Sequence, residues 1–131
     1  MKIKNVNIEG NLFLAPMAGV TDFSFRSLAR NFGASFSYTE MVSSKALVYD
    51  NAKTKELLIT LENEKPVGVQ LFGHEPEVFK SVLNLQELQK FDLIEGIRKL
   101  NTSLKKYRIV IPTQDGNFEY EFCTESLDIA E

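Results

Sequence analysis

Short apolar runs bounded by turn residues alternate with stretches whose apolar positions recur at helical spacing, a pattern that predicts stacked βα units and a largely parallel sheet. Lys2–Ile8 carries apolar Ile3, Val6 and Ile8 before the turn signal Glu9-Gly10-Asn11, and Leu12-Phe13-Leu14 follows, so a short hairpin and then a buried strand are expected. Past Ala15-Pro16-Met17-Ala18-Gly19 the period changes. Asp22 can cap a helix in which Phe25, Leu28, Ala29 and Phe32 share a face, and Gly33 supplies its stop. Ser35–Thr39 reads as a second strand and Ser44–Tyr49 as a helix, with a further helical turn or two over Asn51–Leu58. The β-branched run Pro66–Phe72, closed by Gly73, suits a third buried strand. Glu75–Leu88 holds Pro76 where a first helical turn accepts it and Val78, Phe79, Val82 and Leu83 on one face; Phe91–Ile94 begins a fourth strand.

Beyond Ile94 the character shifts. Gly96–Tyr107 reads as an amphipathic helix, and Arg108–Phe122 as an antiparallel hairpin around Asp115-Gly116. The expected organisation is therefore βα units over residues 1–94 and a helix plus β-hairpin tail over residues 95–131.

Composition narrows the function classes. At 131 residues, 44% hydrophobic and 25% charged, the chain fits one ordinary folded domain. Its formal charge of −3 provides no global positive field to draw in nucleic acid, so any RNA contact needs a local patch. The apolar stretches Leu12–Val20 and Leu57–Leu61 are far short of the roughly 20 residues that span a bilayer, and the start lacks a signal peptide's apolar region; a cytoplasmic protein with no membrane partner is expected. A single cysteine, Cys123, and a single histidine, His74, exclude an internal disulfide, cysteine-rich or His-pair metal sites, and leave little for a Ser/His/Asp triad.

In parallel α/β sheets ligands gather at the carboxyl ends of the strands. That rule selects Ala15–Asp22, where small residues let a flat ligand approach the backbone, though a bare strand-to-helix connection explains them equally well. It also selects Thr39–Ser44, better explained as helix capping, and Gln70, whose buried carboxamide must find partners in a heterocycle edge, a core group or water. His74, beside Glu75 at a helix start, reads as a solvated cap neighbour. The basic residues Arg98, Lys99, Lys105, Lys106 and Arg108 could meet phosphates, but a solvated helix face accounts for them more simply. Burial of a hairpin does the same for Phe118, Tyr120 and Phe122.

Three ordered blocks, LFLAPMAGVTDFSFRSLARNFGA, YTEMVSSKAL and PVGVQLFGHEPEVF, closely resemble the opening of bacterial tRNA-dihydrouridine synthases, over about residues 12–94. The resemblance implies a fold class: α/β, an incomplete TIM-barrel-like βα repeat of three to four units. It also implies an oxidoreductase in which FMN, re-reduced by NADPH, delivers hydride to a uridine in tRNA. By that match Pro16, Met17 and Ala18 hold the isoalloxazine through close backbone contact and Gln70 bonds the polar edge of its ring; Glu40 and Arg26 stand in family-like blocks without an assigned role.

The departures are as specific. Where the family continues the fourth strand into an Asn-x-Gly-Cys-Pro loop whose cysteine protonates the uridine, this chain reads Glu95-Gly96-Ile97-Arg98, so no catalytic residue is assigned. Cys123 stands in Glu-Phe-Cys-Thr-Glu and does not inherit that role. By the same resemblance, the later flavin-contacting strands, the phosphate loops and a helical tRNA-holding domain are not expected within these 131 residues. A closed eight-unit barrel takes roughly 200–250 residues, so this chain is expected to be a truncated or rearranged form, inactive alone. An open sheet edge would invite self-association. A non-catalytic binding or assembly module, using the barrel fragment and a basic helix, is the alternative.

Overall fold

A computed structural model describes residues 1–3, 5–99, 104–110 and 119–121. Its centre is β5 (Val67–Gly73), in which Val67, Val69 and Leu71 point to one face and Gly68 and Gln70 to the other, all of them buried. A strand buried on both faces reads as a continuous apolar run, and it needs a layer on each side. It is flanked in parallel by β4 (Phe36–Ser43) and β6 (Leu93–Lys99), while β3 (Phe13–Leu14) pairs in parallel with the outer side of β4. These four strands make the parallel part of the sheet, consistent with a partial TIM-barrel-like domain.

On one face the connecting helices close a core. Val42, Val69, Leu71 and Ile94 from the strands pack with Leu47 of α2 (Ser44–Val48), with Leu58 just after α3 (Ala52–Glu56), and with Val82 of α4 (Pro76–Val82). Each short helix has a sequence reason to start where it does. The Ser43 side chain accepts from the Ala46 N–H, the Asn51 side chain accepts from the Thr54 N–H, and Pro76 sits in the first turn of α4, where a missing N–H costs nothing.

The opposite face has a smaller plug. The predicted N-terminal hairpin is present as β1 (Lys2–Ile3) paired antiparallel with β2 (Val6–Asn7). It sends Val6 and Ile8 against Phe36 and Leu93 at the strands' starting ends, and the Phe36 ring stands edge-on to Tyr38 at 5.0 Å. The two aromatic rings leave no room at Gly68, where a Cβ would fall 2.6 Å from Tyr38 and 2.9 Å from Phe36. The carboxyl ends of the strands stay uncovered by this plug.

Helix α1 (Phe23–Asn31) begins and ends as its sequence predicts, with Asp22 accepting from the Phe25 N–H and Gly33 following at φ 96°. Its apolar stripe is not buried: Phe25, Leu28 and Phe32 are 39%, 52% and 80% exposed, and the residue α1 buries is Arg26. Helical periodicity locates the element, but what covers its stripe depends on neighbours that the described residues do not supply.

The predicted helix over Gly96–Tyr107 is corrected by the structure. Residues 93–99 continue β6 through six consecutive pairs with β5, and β7 (Leu104–Val110) returns antiparallel beside it, again through six pairs. Ile97, Leu100 and Leu104 fit a helical spacing, but an unfilled edge of β5 offers a full ladder of backbone partners. Gly96 and the Asn101-Thr102-Ser103 stretch are poor helix material, so the ladder wins. The antiparallel pairing within Arg108–Phe122 is present, as β8 (Glu119–Glu121) against β7. The Asp115-Gly116 turn, Phe118, Phe122 and Cys123 lie outside the described residues.

Candidate functional site

In the loop after β3, both peptide groups of Met17 and the Gly19 N–H are committed. The Met17 N–H donates to Thr21 Oγ1 at 2.9 Å, and the Met17 carbonyl accepts from the Val20 and Thr21 N–H groups at 3.1 and 3.0 Å and from the Thr21 hydroxyl at 3.1 Å. Pro16 has no N–H, and the Gly19 N–H donates to Glu40 Oε2 at 2.5 Å. Among the described residues this leaves the Ala18 N–H as the donor of Pro16–Gly19 without a partner. Met17 and Ala18 are exposed and Pro16 is half-buried, so the loop presents a surface while its own backbone is held from behind.

What holds it is a buried ion pair. The Arg26 Nε and Nη2 both lie 3.0 Å from Glu64 Oε2, Nη1 donates to the Thr21 carbonyl at 2.9 Å, and Nη2 donates to the Ile59 carbonyl at 2.7 Å. Glu64 Oε1 in turn accepts from the Leu61 N–H at 3.2 Å. Both side chains are at most 1% exposed. A charge buried to this degree is tolerable only when paired and hydrogen-bonded, which this one is.

Gln70 lies one strand away from the loop's tether. Between the pairs Tyr38 to Gly68 and Met41 to Gln70, β4 inserts an extra residue, so Thr39 and Glu40 together oppose Val69. Such bulges re-aim side chains and recur beside functional sites. Thr39 Oγ1 accepts from the Gln70 N–H at 3.3 Å and donates to the Glu40 carbonyl at 2.9 Å, which repairs the ladder where the bulge opens it. Glu40, the residue next to Gln70's register partner, reaches across to Gly19. The structure thereby ties the Pro16–Gly19 loop to the β4 segment that pairs with Gln70.

The Gln70 side chain is 6% exposed and its Nε2 donates to Glu95 Oε2 at 3.0 Å. Met41, Gln70, Glu95 and Arg108 occupy successive register positions across β4 to β7. Sequence reading selected the loop and Gln70 but gave no role to Glu40, Arg26, Thr21, Glu64 or Glu95. The Thr21-Asp22 pair before a helix and a lone carboxylate inside a strand were the available signals. The capping expectation for Thr39–Ser44 holds at Ser43, and Ser44 Oγ donates to the Phe72 carbonyl at 3.0 Å, tying α2 to the end of β5.

At the rim, Lys45 Nζ is 3.0 Å from Glu75 Oε1, and His74 Nε2 is 3.1 Å from the same oxygen. The hydrogen bond with its partner raises the Lys45 pKa and lowers that of Glu75. All three are solvated, as expected for His74. A cleft of about 390 Å³ lined by Asn7, Glu9, Arg30, Ser35 and Lys65 sits at the opposite, starting ends of β4 and β5. Its guanidinium, Arg30, is already spent on the carbonyls of Ala34, Glu64 and Pro66, so this cleft has little left to bind with. No cluster of metal-ligating side chains occurs among the described residues.

The family model for dihydrouridine synthase (Dus) matches residues 13–95, from the first residue of β3 to Glu95. The chain belongs to the dihydrouridine synthase family. It is 44% identical over 85 residues to a probable tRNA-dihydrouridine synthase of Treponema pallidum, covering 65% of this chain and 25% of that protein. It is 38% identical over 88 residues to one of Rickettsia conorii, covering 66% and 27%, and 38% identical over 79 residues to tRNA-dihydrouridine synthase B of Vibrio parahaemolyticus, covering 60% and 24%. The dihydrouridine synthase segment thus spans about a quarter of the length of these relatives. It contains the β3 loop, Glu40, the Arg26–Glu64 pair and Gln70, and it ends at Glu95, within β6.

Proposed function

We propose that this chain is the N-terminal, flavin-seating segment of a tRNA-dihydrouridine synthase, in which Pro16, Met17, Ala18 and Gln70 hold FMN. The observation that carries this reading is the tether between the β3 loop and β4: Glu40 joins Gly19 one residue from the register partner of Gln70. The residues suit a planar heterocycle. The exposed backbone at Met17 and Ala18 allows close approach, and the Ala18 N–H and the Gln70 carboxamide are polar groups fit for a ring edge. When bound, FMN would supply the hydride chemistry for uridine reduction, with NADPH as its reductant. The chain's own residues would bind and orient it: the loop backbone would hold the ring, and Gln70, whose Nε2 donates to Glu95, would offer its carboxamide to the polar edge.

In this reading residues 1–94 are part of an FMN-binding barrel and residues 95–131 fall outside the family's pattern. The chain alone reduces no uridine, because Glu95-Gly96-Ile97-Arg98 stands where the proton-donating cysteine loop belongs. The substrate of the complete enzyme is tRNA and its compartment the cytoplasm; no helix among the described residues is long and apolar enough to cross a membrane. Titrating the purified chain with FMN should give saturable quenching of flavin fluorescence that Gln70→Ala weakens. Absence of quenching refutes the seat, and NADPH-dependent dihydrouridine formation by the chain alone refutes the inactivity.

One observation favours a second reading, an assembly module without catalysis. Leu12 and Val20, on either side of the β3 loop, and Phe25, Leu28 and Phe32, on or just after α1, are all exposed apolar side chains that a partner chain could cover. The basic-helix version of this reading loses its helix, since residues 93–99 and 104–110 are strands. A monomeric mass by light scattering at high protein concentration would count against self-assembly.

A further inference from the structure

We propose that Thr21 is the positioning residue of the ligand seat: its hydroxyl locks the Met17 peptide so that, of the loop's N–H groups, Ala18's is the one left for a ligand. The inference rests on the FMN reading for the identity of that ligand, but not for the lock itself. Thr21 is fully buried, and its hydroxyl does two jobs at once, accepting from the Met17 N–H and donating to the Met17 carbonyl. A hydroxyl is one donor with two acceptor lone pairs, so one small side chain can hold both polar groups of the same residue. Without it the Met17 N–H would need another acceptor, and the nearest source is water or the ligand.

The lock is itself anchored. Arg26 Nη1 donates to the Thr21 carbonyl, and Asp22, the next residue, caps α1 through the Phe25 N–H, so Thr21 cannot swing away without disturbing a buried charge and a helix start. On the other flank Glu40 takes the Gly19 N–H. Thr21 and Glu40 therefore grip the loop on either side of Ala18. Preorganisation of this kind lowers the ordering cost of binding, so its loss should appear in ligand affinity more than in global stability.

Thr21→Val removes the hydroxyl while keeping the buried shape, and Thr21→Ser keeps the hydroxyl while losing only a methyl. With FMN as probe, Thr21→Val should raise Kd about tenfold through the lost preorganisation of the loop, while Thr21→Ser stays within roughly threefold of the parent. Amide hydrogen exchange gives a second readout independent of FMN. The Val20 amide, which donates to the Met17 carbonyl, should exchange faster in Thr21→Val, while the β5 amides keep their relative protection. Should Thr21→Val fail to fold, Thr21→Ala serves the same comparison. Equal FMN affinity in Thr21→Val and the parent, or equal losses in Thr21→Val and Thr21→Ser, overturns the hydroxyl's role. If the parent itself fails to bind FMN, the flavin reading falls, and Val20 exchange alone decides the lock: faster exchange sustains it and unchanged exchange overturns it.

Discussion

Replacing Glu64 with alanine should be the most damaging single change to this fold that spares the apolar core. The carboxylate is fully buried, meets two nitrogens of Arg26 through one oxygen at 3.0 Å, and accepts the Leu61 N–H with the other. Its removal leaves the guanidinium buried with two carbonyl partners, those of Thr21 and Ile59, and no counter-charge. An exposed pair would contribute ~0–1 kcal/mol; breaking a buried one by removing a single partner costs ~3–5 kcal/mol. Against a typical total of ~5–15 kcal/mol that is at least about a fifth of the stability. At about 4 °C per kcal/mol for a domain of intermediate size, the melting point falls by roughly 12–20 °C. Glu64→Gln, which keeps the volume and an acceptor for Leu61, should lose about half as much. The double change Arg26→Met with Glu64→Leu should cost less than Glu64→Ala alone, because no charge is stranded. Urea unfolding followed by circular dichroism, with unchanged slope across the set, provides the numbers. A loss under ~1 kcal/mol for Glu64→Ala, or a double variant as damaged as the sum of its singles, would refute the reasoning.

Three further outcomes follow from other contacts. Gly68→Ala should destabilise by ~1–3 kcal/mol through overpacking, because its methyl meets the Tyr38 and Phe36 rings; a neutral result in urea unfolding would mean those rings move freely. Glu40→Ala should accelerate exchange of the Gly19 amide while Val69 and Leu71 keep their protection, and unchanged Gly19 exchange would show that the tether is not populated. Lys55 bridges Asp50 and Glu87, and its hydrogen bond is the first cause holding the Glu87 carboxyl below the usual carboxylate range. Because that folded-state value is depressed, the pair's contribution is present above the ordinary glutamate range and disappears as pH falls through the depressed value. In Lys55→Ala the Glu87 carbon signal should titrate at higher pH, and an identical midpoint would contradict the assignment.

The elements that sequence located well are those whose signal is local. Asp22 with Gly33, Pro76, and the valines of β5 announce a cap, a first turn and a doubly buried strand without help from the rest of the molecule. Gly96–Tyr107 misled because short apolar spacings fit two periods, and the deciding partner, the edge of β5, lies more than twenty residues away. The site divides similarly. The proposed contacts at Ala18 and Gln70 rest on small-residue and carboxamide signals at strand ends, which a sequence displays directly. Glu64, thirty-eight residues from Arg26, and Glu40, twenty-one from Gly19, act through contacts that no spacing rule encodes. The β4 bulge that brings Glu40 to the loop was equally invisible, since an extra residue in a strand shows only once its neighbour is aligned.

The direction of β7 limits how this sheet can grow. A ring of parallel strands needs each rim free to take a neighbour running the same way, yet the rim of β6 is occupied along six pairs by a strand running backwards. The other rim, β3, exposes just two residues of ladder. Any polypeptide arriving to complete the circle must therefore evict β7 by strand exchange, so completion becomes a competition whose rate is set by how readily that ladder unzips.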